Sequence, residues 1–378
     1  MEEEQTAEGH EAPGFDPREQ PVQLCDDQSD VWMPVETATR MTFPEAVSYV
    51  LEHARDDGER KDVRVDQLGS WRFAHDEDGY AVLLSEKEGA VYPLRYYAFG
   101  QLAAHVGGTR KYLGRLPARL SSACINWGLG KAPQRGMLRL AGDEIRALVG
   151  PKYAALDDDY ALSTVEHVLR ASGVFDQVVV RSIATGLVTV VRLSFPSDAI
   201  VLKGAADDGD VVEIGIDIVN GEVSNRSLSA TPIAWRAKTT GVARATGKRV
   251  RHFGDPLRLS GEFEQAIPRI IADARSLRER IQAAVDVAIK DTVAEFEKLP
   301  ALGLTQTESR EVVRTFAEGR GLALPEDSAD WPDLIEKEEN VSAFAIFEAI
   351  TGLSLKLGTE RRLNAEDAAG KYVHARAR

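Results

Sequence analysis

A run of three carboxylates, Asp157-Asp158-Asp159, is the densest acidic cluster in the part of the chain that we expect to fold. Neighbouring carboxylates can hold a divalent cation, so a metal-dependent enzyme, for example a nuclease, could use them. The run also precedes an amphipathic segment that ends at Gly173, where acidic side chains cap a helix and interact favourably with its dipole. The sequence favours the capping role and keeps the three residues as weak metal candidates.

Two stretches of the chain concentrate positive charge. Residues 109–153 contain nine basic and two acidic residues, and residues 235–252 contain six basic and no acidic residues, whereas the whole chain has a formal net charge of −14. Clustered cations neutralise phosphates, and rings such as Tyr112, Trp127 and Trp235 offer faces on which bases stack. A solvated surface is the alternative explanation of such charge runs. The candidate nucleic-acid-binding residues are Arg110, Lys111, Arg115, Arg119, Lys131, Arg135, Arg139, Lys152, Tyr153, Arg236, Lys238, Arg244, Lys248, Arg249 and Arg251.

Sequence motifs of the common enzyme classes are missing. The chain has no P-loop, no dinucleotide-binding glycine pattern after a strand, no nucleophile elbow and no HExxH helix. Its two cysteines, Cys25 and Cys124, are far apart and give no zinc spacing. We therefore predict no catalytic residues and no cofactor. Enzymatic activity stays open, but the sequence favours a protein without it.

The first 40 residues hold eleven acidic and two basic residues and several prolines, which is typical of a disordered tail. Such a tail can simply improve solubility, which we favour, or can mimic nucleic acid and compete for a basic surface nearby. The N-terminus is acidic where a secretory signal would be basic and apolar, and no apolar run approaches the roughly 20 residues that span a bilayer. These features predict a cytoplasmic protein that has no membrane partner.

The elements that must position these residues follow from hydrophobic periodicity. A helix is expected after Thr42, and hairpins are expected around Ala141–Glu144 and Ala184–Gly186. A helical pattern with an apolar stripe extends from Ser260 to Leu299, with a kink or a new start at Pro268. We predict an α+β fold, with an antiparallel sheet built from hairpins and a long C-terminal helix, in three parts: a disordered acidic tail (1–40), an α+β core domain (41–299) and a helical C-terminal region (300–378).

Several segments, in order, resemble a known family. Residues 98–129, AFGQLAAHVGGTRKYLGRLPARLSSACINWGL, are similar to the first block of the domain of unknown function 932, the phage/plasmid-like protein family. Residues 144–158, EIRALVGPKYAALDD, and residues 219–236, VNGEVSNRSLSATPIAWR, resemble its next two blocks. Residues 348–351, EAIT, resemble a fourth. Directly after the 219–236 block the family has a Cys-Thr-Asn-Gly stretch, which is Lys-Thr-Thr-Gly at residues 238–241 here, so a role that needs that cysteine does not carry over.

The resemblance implies a protein of mobile genetic elements without established catalysis. The predicted order of elements is also distantly similar to that of single-strand annealing recombinases, which form rings or filaments on single-stranded DNA. Three hypotheses follow. The protein binds single-stranded DNA or RNA as a homo-oligomer and promotes annealing or recombination; it is a metal-dependent nucleic-acid enzyme; or it is an anti-defence or regulatory protein that binds a host protein through its acidic tail.

Overall fold

The structure is a computed structural model that describes residues 21–27, 31–85, 87, 89–131, 135–202, 210–236, 242–244, 247–295, 304–305, 311, 313–314, 340–341, 359 and 362–367. The helices are α1 Val35–Ala38, α2 Phe43–Asp56, α3 Tyr96–His105, α4 Arg110–Leu113, α5 Ala118–Lys131, α6 Asp158–Ala171 and α7 Pro256–Glu295. The strands are β1 Val31–Trp32, β2 Arg60–Val65, β3 Arg72–His75, β4 Ala81–Ser85, β5 Ala90–Pro93, β6 Gly136–Ala141, β7 Glu144–Val149, β8 Val179–Thr185, β9 Thr189–Leu202, β10 Asp210–Gly221, β11 Arg226–Arg236, β12 Val242–Arg244, β13 Lys248–Val250, β14 Leu304–Thr305 and β15 Asn340–Val341.

The chain forms two compact units. Unit 1 comprises residues 1–27 and 58–151, and unit 2 comprises residues 28–57 and 152–378. The single core domain predicted for residues 41–299 is thus divided. Within the stretch predicted as a disordered tail, residues 21–27 form isolated bridges with Tyr80, Arg95 and Pro117 of unit 1, and β1 and α1 belong to unit 2. Residues 1–20 and most of residues 300–378 lie outside the described part of the chain.

Unit 1 contains two antiparallel sheets, ordered β2-β6-β7 and β3-β4-β5, with α3, α4 and α5 packed beside them. The predicted hairpin at Ala141–Glu144 is confirmed as β6 and β7. Two amides join helices to strand backbones. The Asn126 side chain accepts from the Phe73 amide and donates to the Phe73 carbonyl, at 2.8 Å each, and Gln101 Oε1 accepts from the Leu148 amide at 2.7 Å. These bonds hold α5 against β3 and α3 against β7.

Unit 2 is built on an antiparallel sheet, which among the described residues has seven strands in the order β1-β8-β9-β10-β11-β12, with β13 also pairing with β11. The predicted hairpin at Ala184–Gly186 is confirmed as β8 and β9. Alternate side chains of β9 and β10, such as Leu193, Phe195 and Ile216, form one core with α2, α6 and α7. Helix α2 begins with the expected cap, because the Thr42 side chain and the Glu45 carboxylate bond each other's backbone amides.

The opposite face of this sheet carries buried charges. Arg192 Nε lies 3.0 Å from Asp217 Oδ1, and its guanidinium also pairs with Glu366 in the helical residues 362–367. Removal of one partner from such a buried ion pair strongly destabilises the folded protein, because the other charge stays buried without compensation. Gly215 permits the close approach of β10 to β9, since an added Cβ would lie 1.9 Å from the Leu193 carbonyl oxygen. The pairing of β9 with β10 therefore depends on contacts between residues of these two strands.

Helix α7 continues through Pro268 from Pro256 to Glu295, so the new start that the sequence offered as one alternative does not occur there. Its apolar side chains Leu259, Phe263, Ile267, Ile270 and Ile271 are buried in the core that it forms with the sheet. Among the described residues, no helix is long and apolar enough to span a bilayer.

Candidate nucleic-acid interface

An open groove of about 530 Å³ lies on unit 1 where the end of α3 meets α4 and α5. We call it the aromatic groove. Its walls hold the exposed rings of Tyr112 from α4 and Trp127 from α5, with the thiol of Cys124 between small and apolar groups. The residues that line it are Val106, Gly107, Gly108, Tyr112, Leu113, Ala123, Cys124 and Trp127.

Glycines and a cap shape the groove locally. Gly107 has a φ of +80°, which ends α3, and the Gly108 amide donates to the Ala103 carbonyl at 2.8 Å. The Thr109 side chain then accepts from the Tyr112 amide and starts α4. Gly128 lets α5 approach the end of α3, because a Cβ there would lie only 2.5 Å from the Val106 Cβ. The sequence between α3 and α5 therefore places Tyr112 and Trp127 on one groove.

The two rings are unusually exposed for large aromatic side chains. Tyr112 is 62% exposed and Trp127 is 69% exposed. The ammonium group of Lys131 lies 5.7 Å from the Trp127 ring centroid, within the range of a cation–π contact. Such rings contribute little to a hydrophobic core, and they leave faces on which a planar ligand can stack.

The stretch that forms the groove carries basic but no acidic side chains, since residues 89–142 contain no Asp or Glu. Arg110 is half-buried, and its guanidinium carbon lies 3.9 Å from the Tyr96 ring centroid. The other predicted contact residues of this stretch are exposed on unit 1: Lys111, Arg115, Arg119, Lys131 and Arg135. The structure thus brings aromatic faces and cations together on α4 and α5.

Arg139 was wrongly placed among the contact residues. Its side chain is 1% exposed, and its Nε lies 2.9 Å from Asp62 Oδ1 on the neighbouring strand β2. A guanidinium in this position stabilises the β2–β6 pair and cannot reach a phosphate in solvent. Sequence could not reveal this, because the partner lies 77 positions away in the chain.

In the second basic stretch, residues 235–252, several cations form ion pairs with acidic residues. Arg244 is wrong as a contact residue, because its side chain is 7% exposed and lies 3.0 Å from Asp217 and 3.1 Å from Asp367. Arg249 is exposed but lies 3.5 Å from Asp367, and Lys248 lies 4.0 Å from Glu262. Arg251 is exposed, and Trp235 is buried. The Arg236 side chain and all of Lys238 lie outside the described part of the chain. This stretch therefore offers fewer cations than its sequence predicts.

Lys152 and Tyr153 begin the second segment of unit 2, residues 152–378. Lys152 is exposed, and its ammonium group lies 5.9 Å from the centroid of the exposed Phe253 ring. The Tyr153 ring stacks on His252, with centroids 5.3 Å apart and an interplanar angle of 7°. The Tyr153 hydroxyl donates to the Glu222 carbonyl at 2.6 Å. Since one face of Tyr153 is occupied, Lys152 and Phe253 are the better contact candidates here.

The carboxylate run is part of a buried network that we call the polar cluster: Tyr153, Asp158, Thr189, Asn220, Glu222 and His252. Asp157 is the N-cap position of α6, and Asp159 is exposed. Asp158 is buried and accepts hydrogen bonds from the Thr189 hydroxyl at 2.5 Å and from Asn220 Nδ2 at 2.9 Å. The Glu222 carboxylate accepts from the Asp158 amide at 2.9 Å. The middle carboxylate of the run therefore supports the fold from inside.

Burial, and next the nearby charge of Glu222, raise the pKa of Asp158 to about 7, although the hydrogen bonds from Thr189 and Asn220 act in the opposite direction. Asn220 also donates to the Leu156 carbonyl at 2.9 Å, so its amide orientation is defined. Its oxygen faces His252 Nε2 at 3.0 Å, while His252 Nδ1 faces the Ala154 carbonyl at 3.1 Å. Both partners are oxygens that accept, and a neutral imidazole has a single N–H, so only the imidazolium form donates to both.

The polar cluster joins residues from two of the segments quoted above, 144–158 and 219–236, which are 64 positions apart where Asn220 bonds Leu156. The sequence shows both segments but not their contact, and His252 joins the cluster from outside both segments. Among the described residues, no three His, Cys, Asp or Glu side chains are arranged to hold a metal ion. The hydrogen bonds of Asp158 explain the middle carboxylate of the run, and Asp157, at the N-cap position, makes no side-chain capping hydrogen bond.

The two cysteines are both free and half-buried, in different environments of unit 1. Burial raises the pKa of the Cys25 thiol to about 11, with a further contribution from the carboxylate of Glu144. Cys124 lines the aromatic groove. Comparison of the chain with protein-family models, curated proteins and solved structures gives no match.

Proposed function

We propose that this protein binds single-stranded nucleic acid without catalysing its cleavage, and that the aromatic groove is the contact surface. The observation that carries the proposal is the exposure of Tyr112 and Trp127 on one groove, within a stretch that has no acidic residue. Proteins that bind single strands combine a positive groove with aromatic rings on which bases stack. Duplex bases are already stacked on one another, so a single strand fits these rings better.

The surrounding cations supply the second part of such a site. Three of them are exposed: Lys111 on α4, Arg115 on the turn after it, and Arg119 on α5. Each phosphate that a cation neutralises releases counterions, which makes binding sensitive to salt. We expect the logarithm of the binding constant to fall by about 0.7 per contact for each tenfold rise in salt.

The test is the binding of a fluorescent single-stranded oligonucleotide at low salt, followed by anisotropy. Trp127→Ala is expected to weaken binding by about 5- to 150-fold, which corresponds to the roughly 1–3 kcal/mol of one stacked base. Tyr112→Ala has the same direction. Because both rings are exposed, we expect the free energy of unfolding to change by less than about 0.5 kcal/mol.

Tyr160→Ala is the matched control, because Tyr160 is an exposed aromatic residue, 42% accessible, on α6 of unit 2. It should leave oligonucleotide binding unchanged. DNA and RNA of one sequence, and the corresponding duplex, complete the comparison. Absence of binding by the parent protein at low salt, or equal loss with Tyr160→Ala, would refute the assignment.

A wider proposal rests on the quoted sequence segments. They support a cytoplasmic protein of a phage or plasmid that forms homo-oligomers, with single-strand annealing as its activity and a long helix followed by a helical C-terminal region. Several copies would multiply a weak groove into a strong binding surface. The metal-dependent enzyme and the host-protein regulator stay predictions without a supporting contact in the described residues.

A further inference from the structure

Residues 21–27 form an extended strap along unit 1. The Gln23 carbonyl accepts from the Ala81 amide at 2.8 Å, and the Cys25 carbonyl accepts from the Tyr96 amide at 3.0 Å. Val22 and Leu24 pack against the core of this unit. Backbone pairing and apolar contacts therefore fix the course of the strap, and with it the point at which residues 1–20 join the folded unit.

That point lies next to the aromatic groove. Pro21, the first residue of the strap, pairs in antiparallel fashion with Pro117, which directly precedes α5. Tyr112 lies five positions before Pro117, so the two are separated by at most about 18 Å even if the chain between them is extended. Residues 1–20, fully extended, span about 70 Å. This segment can therefore reach every part of the groove.

The composition of residues 1–20 complements the groove. The segment contains seven acidic residues and one basic residue, and it has one aromatic residue, Phe15. Lys111 and Arg115 are exposed and lie within three positions of Tyr112, one of the two aromatic rings that line the groove. Carboxylates attract the same cations as phosphates do, and an aromatic side chain can occupy the place of a base.

We propose that residues 1–20 occupy the aromatic groove of their own chain and compete with single-stranded nucleic acid for it. The identity of the competing ligand rests on the proposed function; the occupancy does not. A tethered segment has an effective concentration of about 1 mM, so an intrinsic dissociation constant of about 0.1 mM lowers the apparent affinity for oligonucleotide about tenfold.

The perturbation removes the charge of the segment and keeps its length. In the neutralised variant, the acidic residues of the segment become Gln or Asn; they are Glu2, Glu3, Glu4, Glu8, Glu11, Asp16 and Glu19. In the control variant, the same number of exposed acidic residues of unit 2 become Gln or Asn; they are Glu36, Glu52, Asp56, Asp176, Glu264, Asp273 and Glu279. Both variants change the formal net charge from −14 to −7.

Occupancy is measured without nucleic acid, by the rate at which the uncharged reagent iodoacetamide alkylates Cys124, quantified by peptide mass spectrometry. Cys25 interferes little, because its pKa of about 11 keeps it protonated. At low salt the neutralised variant should react about two- to tenfold faster than the parent and the control variant. High salt should bring the parent up to the rate of the neutralised variant.

Competition is measured with the oligonucleotide assay on the same full-length proteins. The neutralised variant should bind about tenfold more tightly than the parent at low salt, whereas the control variant should gain clearly less. Equal alkylation rates in all three proteins, or equal acceleration in both variants, overturn the occupancy. Faster alkylation with no oligonucleotide binding by any of the proteins overturns the proposed function and leaves the occupancy supported.

Discussion

Asp158→Asn tests whether the polar cluster carries an unfavourable negative charge near neutral pH. Asp158 is buried at the start of α6, where Thr189 and Asn220 donate to its carboxylate. Asparagine is nearly isosteric. Its oxygen can accept from Asn220, and its amide group can donate to the Thr189 hydroxyl, so both contacts persist. The substitution removes the negative charge of Asp158, which lies near the carboxylates of Glu222 and of the preceding residue, Asp157.

The expected magnitude follows from the pKa of Asp158, which burial raises from 3.8 to about 7. A raised pKa means that the folded protein prefers the protonated carboxyl group. The stabilisation is fully present below about pH 4, where both states are protonated, and is lost as the pH rises to about 7. The difference corresponds to about 4 kcal/mol as an upper limit, which the dipole of α6 reduces because it favours the ionised form.

The assay is urea denaturation of the parent and the variant between about pH 4.5 and pH 8, followed by far-UV circular dichroism. The unfolding free energy of the parent, relative to that of the variant, should fall by about 2–4 kcal/mol across this range. Asp159→Asn, an exposed neighbour in the first turn of α6, is the control and should give a profile parallel to that of the parent. If Asp158→Asn also gave a parallel profile, Asp158 would be ionised at no cost and the reasoning would be refuted.

Two further predictions concern unit 1. Gly128→Ala should cost about 1–3 kcal/mol in unfolding free energy and weaken oligonucleotide binding, because its Cβ would meet Val106; Gly130→Ala, which meets nothing within 4 Å, should stabilise α5 by about 0.5–1 kcal/mol. Urea denaturation checks both changes, and equal effects would contradict the close-packing argument. Arg139→Ala should cost about 1–3 kcal/mol in the same assay because it removes a buried side chain together with its pair to Asp62; an unchanged stability accompanied by weaker oligonucleotide binding would return Arg139 to the interface.

Local interactions made much of the fold predictable. The cap at Thr42, the helix after Asp157 and the hairpin between β6 and β7 depend on residues within a few positions of one another. Propensity, capping and alternation are properties of such short segments. The sequence also located the stretch that contains the aromatic groove, since the basic residues near Tyr112 and Trp127 are clustered in the chain.

Tertiary structure decided which charged residues face solvent. Lys111 and Arg139 look alike in a count of basic residues, yet one is exposed and the other pairs with Asp62 from a distant strand. Strand pairing sets such contacts between residues far apart in sequence, and no local pattern records them. For the same reason, the sequence did not reveal the polar cluster or the bridge between Pro21, where the strap begins, and Pro117. The sequence by itself determined the composition of the candidate interface, whereas long-range packing decided which of its residues can touch a ligand.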